Sequence, residues 1–143
     1  MRDDDLMLAI RSLLLIIFGL FAGTLYAAAT ILLFWTPRKF LFGFVTNFCR
    51  LMLWAGEFFC GLKMVVEGRE NLPDRPSVVM IKHSSLFDTY GHVPVFPRST
   101  WVLKREIFWV TVLGWALALV FKPIAINRST RGKAVKQVIE QGK

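Results

Sequence analysis

The chain opens with two long apolar segments that differ in the charge they carry. Residues 12–35 contain no charged side chain and are rich in Leu, Ile, Phe and Ala. A helix of these 24 residues rises roughly 36 Å, enough to cross the hydrocarbon core of a bilayer. Residues 40–61 are again apolar but carry Arg50 and Glu57, seven positions apart and therefore on one helical face. We expect a spanning helix followed by an amphipathic or re-entrant helix.

A cleaved signal peptide is the alternative for the first segment. The alanines at 27–29 imitate a small-residue cleavage site. The aspartates at 3–5 replace the basic start of a signal peptide, and the apolar run continues past the alanines, so a retained helix is favoured. Two basic residues precede the segment and three follow it closely, which favours a cytoplasmic carboxyl side.

Beyond residue 61 the pattern alternates between strand and helix. Strands are predicted near residues 63–67, 77–82, 100–103 and 123–127, and helices near residues 86–91, 105–119 and 129–141. Pro94 and Pro97 are expected to end the first of these helices. The alternation predicts an α/β fold, an α/β sandwich behind membrane helices. We therefore divide the chain into membrane-anchoring helices over residues 1–61 and a partial α/β domain over residues 62–143.

The second part of the chain is basic. Residues 61–143 hold thirteen Lys or Arg and six Asp or Glu, which supply +7 of the net charge of +8. A basic surface suits anionic lipid headgroups and phosphorylated substrates. Nucleic acid is not expected as a partner, because the charges are scattered and no nucleic-acid-binding motif is present. No cluster of Cys and His has metal-ligand spacing, so no metal site is predicted.

His83 and Asp88 are the residues that suggest chemistry. An imidazole titrates near neutral pH, and a nearby carboxylate can fix its tautomer and stabilise the imidazolium, so the pair suits proton abstraction from a hydroxyl. One helix would place the two on different faces, but a strand-to-helix loop can hold His83 while the first helical turn holds Asp88. The alternative is that Ser85-x-x-Asp88 is only a helix capping box. The second imidazole, His92, is expected to be exposed and receives no catalytic role.

Four segments in order carry a family resemblance: Glu67-Gly-Arg-Glu-Asn-Leu-Pro-Asp74, Ile81-Lys-His-Ser-Ser-Leu-Phe-Asp-Thr89, Leu103-Lys-Arg-Glu-Ile-Phe-Trp109 and Lys122-Pro-Ile-Ala-Ile-Asn-Arg128. In order and spacing they resemble the glycerolipid acyltransferases, and among these the bacterial enzymes that acylate 1-acyl-sn-glycerol-3-phosphate. The resemblance covers roughly residues 63–143 and implies a glycerol-3-phosphate acyltransferase-like sandwich. It also implies a two-helix membrane element, so an embedded helical hairpin could replace a full crossing.

The resemblance implies acyl transfer from acyl-CoA or acyl-carrier protein to the free hydroxyl of lysophosphatidic acid, giving phosphatidic acid for phospholipid biosynthesis. His83 would be the general base, Asp88 its orienting partner, and Lys104 and Arg128 would bind the acceptor phosphate. No metal or cofactor is implied, since the thioester carbonyl is already electrophilic. The expected location is a bacterial inner membrane, with membrane lipids as partners and the catalytic part facing the cytoplasm.

The chain also departs from the family pattern. A further motif, Phe-Pro-Glu-Gly-Thr-Arg, is expected shortly after Lys143, so the sequence is expected to be the amino-terminal part of a longer enzyme. Lys122 stands where many members have Gly. Two alternatives stay open: a relative that acylates another lysolipid, and a truncated membrane-bound remnant without activity.

Overall fold

A computed structural model describes residues 3–96, 99–109, 111–126 and 139. It divides into two compact units, one formed by Met1–Gly19 and Cys49–Pro97 and the other by Leu20–Phe48 and Arg98–Lys143. Each unit contains part of each long amino-terminal helix. The predicted division after residue 61, between membrane-anchoring helices and a partial α/β domain, concerns function and stays a prediction.

The first apolar segment forms helix α1, Asp3–Leu32. Its apolar side chains are largely exposed; Leu20, for example, is 69% exposed, as expected of a surface that contacts lipid. Among the described helices, α1 is the one long and apolar enough to cross a membrane. It ends three residues before the predicted limit, because Thr36 turns the chain back: its amide and hydroxyl both donate to the carbonyl of Leu33.

The second apolar segment forms helix α2, Arg38–Cys60. The predicted amphipathic character is present, since Arg50 and Glu57 are both exposed while one stripe of small and apolar residues is buried. The buried residues of α2 include Leu41, Cys49, Met52 and Ala55. Glu57 also lies 3.6 Å from the ammonium group of Lys63, just beyond the helix end.

In the first unit, α2 contacts α1 and the helix that follows the His83 loop. Phe18 of α1 and Phe59 of α2 have ring centroids 6.1 Å apart. Helix α3, Leu86–Val95, continues four residues beyond its predicted end and contains Pro94. The prediction that Pro94 ends the helix is therefore wrong. Proline only removes one N–H donor, and the next amides still bond: that of Phe96 donates to the carbonyl of His92.

The second unit contains a strand–helix–strand arrangement. Strand β1, Val102–Lys104, pairs in parallel with strand β2, Ile124–Ile126, in the register Val102 to Ile124 and Lys104 to Ile126. A short 3-10 helix, Arg105–Trp109, and helix α4, Thr111–Phe121, connect them. Phe121 is buried in this unit, against the rings of Trp101 and Phe42.

The predicted helix over 105–119 is divided because of a close backbone approach. A Cβ on Gly114 would lie 2.7 Å from the carbonyl oxygen of Ile107 and 2.8 Å from the Cα of Phe108. The 3-10 turn therefore packs directly against α4 at a glycine, and the two cannot be one straight helix. Periodicity alone does not reveal such a contact.

The α/β sandwich is the part of the predicted fold that the structure does not confirm. The described residues are mostly helical, with one two-stranded parallel sheet. The predicted strands at 63–67 and 77–82 are not formed, since neither segment takes part in the sheet. Their apolar side chains are exposed, Val78 by 95%. The predicted helix over 129–141 lies, apart from residue 139, outside the described residues.

Candidate active site

The turn before α3 places His83 and Asp88 together. Ser85 is the N-cap residue, α3 begins at the next position, and Asp88 is in the first turn at position N3. The imidazole Nδ1 of His83 lies 3.8 Å from Oδ2 of Asp88. This is within reach for a charge interaction but too long for a hydrogen bond. The side chain of His83 is 58% exposed, so the imidazole is accessible to a substrate.

The same turn is also a capping box. Oδ2 of Asp88 accepts hydrogen bonds of 2.8 Å from the amides of both Ser84 and Ser85, and Oδ1 accepts one of 3.0 Å from the Ser85 hydroxyl. The amide of Asp88 donates in return to the Ser85 hydroxyl oxygen. The carboxylate of Asp88 therefore caps α3 and at the same time lies near the imidazole of His83. The catalytic roles of the two residues stay predictions.

These hydrogen bonds stabilise the ionised form of the Asp88 carboxylate. The amides of Ser84 and Ser85, followed by the Ser85 hydroxyl, lower the pKa of Asp88 from its ordinary value of 3.8. Partial desolvation acts in the opposite direction, and the charge of His83 makes the smallest contribution. Asp88 is ionised at neutral pH, and its backbone environment keeps it ionised to a lower pH than an ordinary aspartate, so that it presents a negative charge to His83.

His92 is closer to this pair than the sequence suggests. It lies four positions after Asp88, on the same face of α3, and its ring centroid is 6.5 Å from that of His83. It is partly buried, so the expectation of an exposed residue is wrong. Desolvation lowers the pKa of His92, against the nearby charge of Asp88. The helical spacing of Asp88 and His92 is the sequence signal that could have placed His92 here.

Of the two predicted phosphate-binding cations, the structure describes only Lys104, which belongs to the second unit. Lys104 ends β1; its side chain is half exposed, and Nζ lies 3.6 Å from Oε1 of Glu106. Arg128 lies outside the described residues. Within the described part of the chain, no group of three or more His, Cys, Asp or Glu side chains could hold a metal ion.

Comparisons with known proteins agree with the motifs around this site. The family model described as Acyltransferase matches residues 63–143. The chain is 41% identical over 121 residues to the 1-acyl-sn-glycerol-3-phosphate acyltransferase of Pseudomonas aeruginosa, a match covering 84% of this chain and 46% of that protein. It is 33% identical over 76 residues to the enzyme of the same name from Saccharomyces cerevisiae, covering 52% of this chain and 25% of that protein.

A chloroplastic 1-acyl-sn-glycerol-3-phosphate acyltransferase of Arabidopsis thaliana is 32% identical over 71 residues, 48% of this chain and 20% of that protein. No solved structure matches the chain significantly. The chain spans less than half the length of each of these relatives. Because the family model covers more than half of the 143 residues, and the His83–Asp88 turn lies within the matched region, the chain belongs to the acyltransferase family.

Proposed function

We propose that the protein transfers an acyl chain from acyl-CoA or acyl-carrier protein to the free hydroxyl of 1-acyl-glycerol-3-phosphate, giving phosphatidic acid. The single observation that carries the proposal is the exposed imidazole of His83 beside the anchored carboxylate of Asp88, in a chain of the acyltransferase family. The names of the relatives supply the acceptor. The thioester donor is what the family resemblance implies, and a base such as His83 suits it because a thioester carbonyl is already electrophilic.

In the proposed reaction, His83 removes the acceptor hydroxyl proton. Since Nδ1 faces Asp88, Nε2 is the nitrogen left to face the substrate. As the O–H bond breaks, the oxygen attacks the thioester carbonyl; the new C–O bond forms, the C–S bond breaks, and the proton passes from His83 to the departing thiolate. The fixed charge of Asp88 stabilises the imidazolium between these steps.

The acceptor phosphate is proposed to bind Lys104 and Arg128. Lys104 now pairs with Glu106 at a half-exposed position, and exposed pairs of this kind contribute at most about 1 kcal/mol. A phosphate carrying up to two charges can therefore displace Glu106 at little cost. Arg suits two-point contact with phosphate oxygens, whereas Lys acts as a point charge.

We also propose that the protein acts in a bacterial inner membrane with the catalytic part on the cytoplasmic side, held by α1. The uncharged part of α1, residues 12–32, is 21 residues long and rises about 32 Å, enough for a bilayer core. For the catalytic part we propose an α/β sandwich larger than the two-stranded sheet. The exposed extended segments favour this, because apolar residues such as Val78 and Met80, 95% and 94% exposed, need a covering layer.

The test uses the protein expressed from its complete reading frame into membranes. These are supplied with a labelled acyl thioester and a panel of lysolipids that differ in headgroup. We expect labelled phosphatidic acid from lysophosphatidic acid and a loss of product of about a hundredfold or more in His83→Ala at equal protein level. If product formed only from a different lysolipid, that lysolipid would be the acceptor. Full activity in His83→Ala would refute the assignment of His83 as the base.

A further inference from the structure

Helix α3 has two faces with separate contacts. Asp88 and His92, four positions apart, lie on the face near His83, and Phe87 and Gly91, also four positions apart, lie on the adjacent face. The second face packs against other parts of the first unit. Phe87 lies against Gly56 of α2, and Gly91 lies against Met64 in the segment after α2.

The contact between Gly56 and Phe87 has no room for a side chain. A Cβ on Gly56 would overlap Cε2 of Phe87, and it would lie 2.6 Å from Cζ and 3.6 Å from Cδ2 of the same ring. Three atoms of one rigid ring therefore face the glycine, so no single atom can move aside alone. Gly56 is buried, and the ring of Tyr90 packs edge-on to Phe87 at 6.4 Å.

The second contact repeats the arrangement with the roles exchanged. Here the glycine is on α3: a Cβ on Gly91 would lie 2.7 Å from Sδ and 2.9 Å from Cε of Met64. A methionine side chain is flexible and can move, whereas an aromatic ring with two rotatable bonds has fewer alternatives. The contact at Gly56 is accordingly the stricter of the two.

We propose that Gly56 is a positioning residue for the His83–Asp88 pair, acting through Phe87. Phe87 is joined to Asp88 by a peptide bond. The carboxylate of Asp88 in turn accepts hydrogen bonds from the amides of Ser84 and Ser85. If the ring cannot rotate away, a methyl group at position 56 displaces the backbone of Phe87, which moves the carboxylate and the loop that carries His83 together. Helix α2 therefore determines the position of the His83–Asp88 turn. Because glycine has no side chain, Gly56 allows the ring of Phe87 to lie directly against α2. The proposal rests on the proposed function for its kinetic readout.

The test compares alanine at two glycines of the same helix. Gly43 has open space around its Cα, so Gly43→Ala changes helix propensity in the same way as Gly56→Ala without a steric contact. Misplacement of a reacting group by about 1 Å can cost about a hundredfold in rate. With the full-length protein in membranes, we expect Gly56→Ala to lower kcat about ten- to a hundredfold. The KM for lysophosphatidic acid should stay unchanged, and so should the kcat of Gly43→Ala.

Rescue separates positioning from general loss of structure. Phe87→Leu shortens the side chain that meets the new methyl group, so the double variant Gly56→Ala/Phe87→Leu should recover most of the lost kcat. The single variant Phe87→Leu completes the cycle and measures its own cost. The proposal is overturned if Gly56→Ala matches Gly43→Ala in kcat, which would mean that the ring simply swings away. It is also overturned if only the amount of folded protein falls, or if the double variant is no better than Gly56→Ala.

A spectroscopic readout keeps this inference separate from the proposed function. Labelling with ring-13C histidine gives signals that include those of His83 and His92, and the signal lost in His83→Gln is that of His83. We expect Gly56→Ala to shift the His83 signal, Gly43→Ala to leave it in place, and the double variant to restore it. If the wild-type protein acylates no lysolipid, the proposed function fails while these spectra still test the positioning. An unmoved His83 signal in Gly56→Ala overturns the inference even if activity is present.

Discussion

The start of α3 and the end of α4 differ in where their free backbone groups find partners. A helix leaves its first four N–H groups and its last four C=O groups without partners inside the helix. At the start of α3, Ser85 and Asp88 supply partners within four positions of each other. At the end of α4, the carbonyl of Val120 accepts a hydrogen bond of 3.1 Å from Arg38, 82 positions earlier. The first kind of helix end can be predicted from a short stretch of sequence, and the second cannot.

The backbone after α4 differs from the α3 start in a second way. Lys122, the next residue, has φ of 43°, a left-handed conformation that favours glycine. Its amide donates to the carbonyl of Ala118, which is the αL form of helix ending, and Pro123 follows. Lys122 is the position at which the chain departs from the glycine of many family members. The α3 start is thus made by residues suited to it, whereas the α4 end uses a residue that is not.

The largest effect is expected when the Asp88 charge is removed while an oxygen that can accept from the Ser84 and Ser85 amides is kept. In Asp88→Asn the side-chain oxygen still caps α3, but the amide cannot stabilise the His83 imidazolium. We expect acyl transfer to fall about a hundredfold or more. The measurement is product formation in membranes, with Asp74→Asn, an exposed loop aspartate, as the control. A variant that is instead misfolded would show that capping is the main role of Asp88.

The next effect tests the distant partner at the end of α4. Arg38→Ala leaves the Val120 carbonyl without its charged donor and should lower the free energy of unfolding by about 2 kcal/mol. Thermal unfolding in detergent micelles measures the change. Lys39→Ala, an exposed cation beside it, should change stability by less than about 0.5 kcal/mol. Equal effects of the two substitutions would mean that the long-range hydrogen bond contributes nothing.

A smaller loss is expected at the start of α3 when the N-cap is removed. Ser85→Ala should destabilise the first turn by about 1 kcal/mol, because the Asp88 amide loses its acceptor. Amide hydrogen exchange in α3 measures this opening. Ser84 contributes its amide to Asp88, so Ser84→Ala keeps the bond and should leave exchange nearly unchanged. If Ser84→Ala were equally damaging, the capping box would not be the source of the stability.

Acid should weaken the same turn in a predictable range. Because the folded-state pKa of Asp88 is below 3.8, its stabilisation is fully present above that ordinary value and is lost as pH falls through the folded value. Protonation of Asp88 weakens the hydrogen bonds from the Ser84 and Ser85 amides without removing them. The loss of stability is therefore expected to be smaller than that in Ser85→Ala. Carboxyl 13C shifts should give a midpoint under 3.8 that rises in Ser85→Ala. A midpoint at or above 3.8 contradicts the assignment.

The smallest expected effect is an increase in the free energy of unfolding. Lys122→Gly removes a left-handed conformation that costs roughly 1–2 kcal/mol for a residue with a Cβ, against about 0.5–1 kcal/mol of added chain entropy. We expect a net stabilisation of about 0.5 kcal/mol in thermal unfolding. Lys122→Ala keeps the Cβ and should give no gain. A gain of the same size in the alanine variant would assign it to charge instead of backbone conformation.

The parts of the fold that the sequence predicted are those set by neighbouring residues. Helices α1 and α2 follow from apolar composition and period, and the α3 start follows from Ser85 and Asp88. Both β strands formed within two residues of the predicted limits. Two features were missed: the division of the predicted helix over 105–119 into a 3-10 helix and α4, and the two strands that did not form. Both depend on which other part of the backbone packs against the segment. Periodicity specifies a face but not its partner.

The candidate site divides in the same way. The sequence placed Asp88 in a first helical turn beside a loop histidine, and the structure has that geometry. The partial burial of His92 and the close contact of Phe87 with Gly56 were missed, since each depends on how α3 packs in its unit. A glycine in an apolar helix gives no sign, from sequence alone, that a ring lies against it.

The carboxylate of Asp88 is held by main-chain amides, and this has a consequence for sequence variation. Ser84 contributes an N–H group to that contact, and every amino acid except proline carries the same donor. The side chain at position 84 can therefore vary while the Asp88 carboxylate keeps its orientation. A saturation library at Ser84 should tolerate nineteen residue types and reject the imino acid.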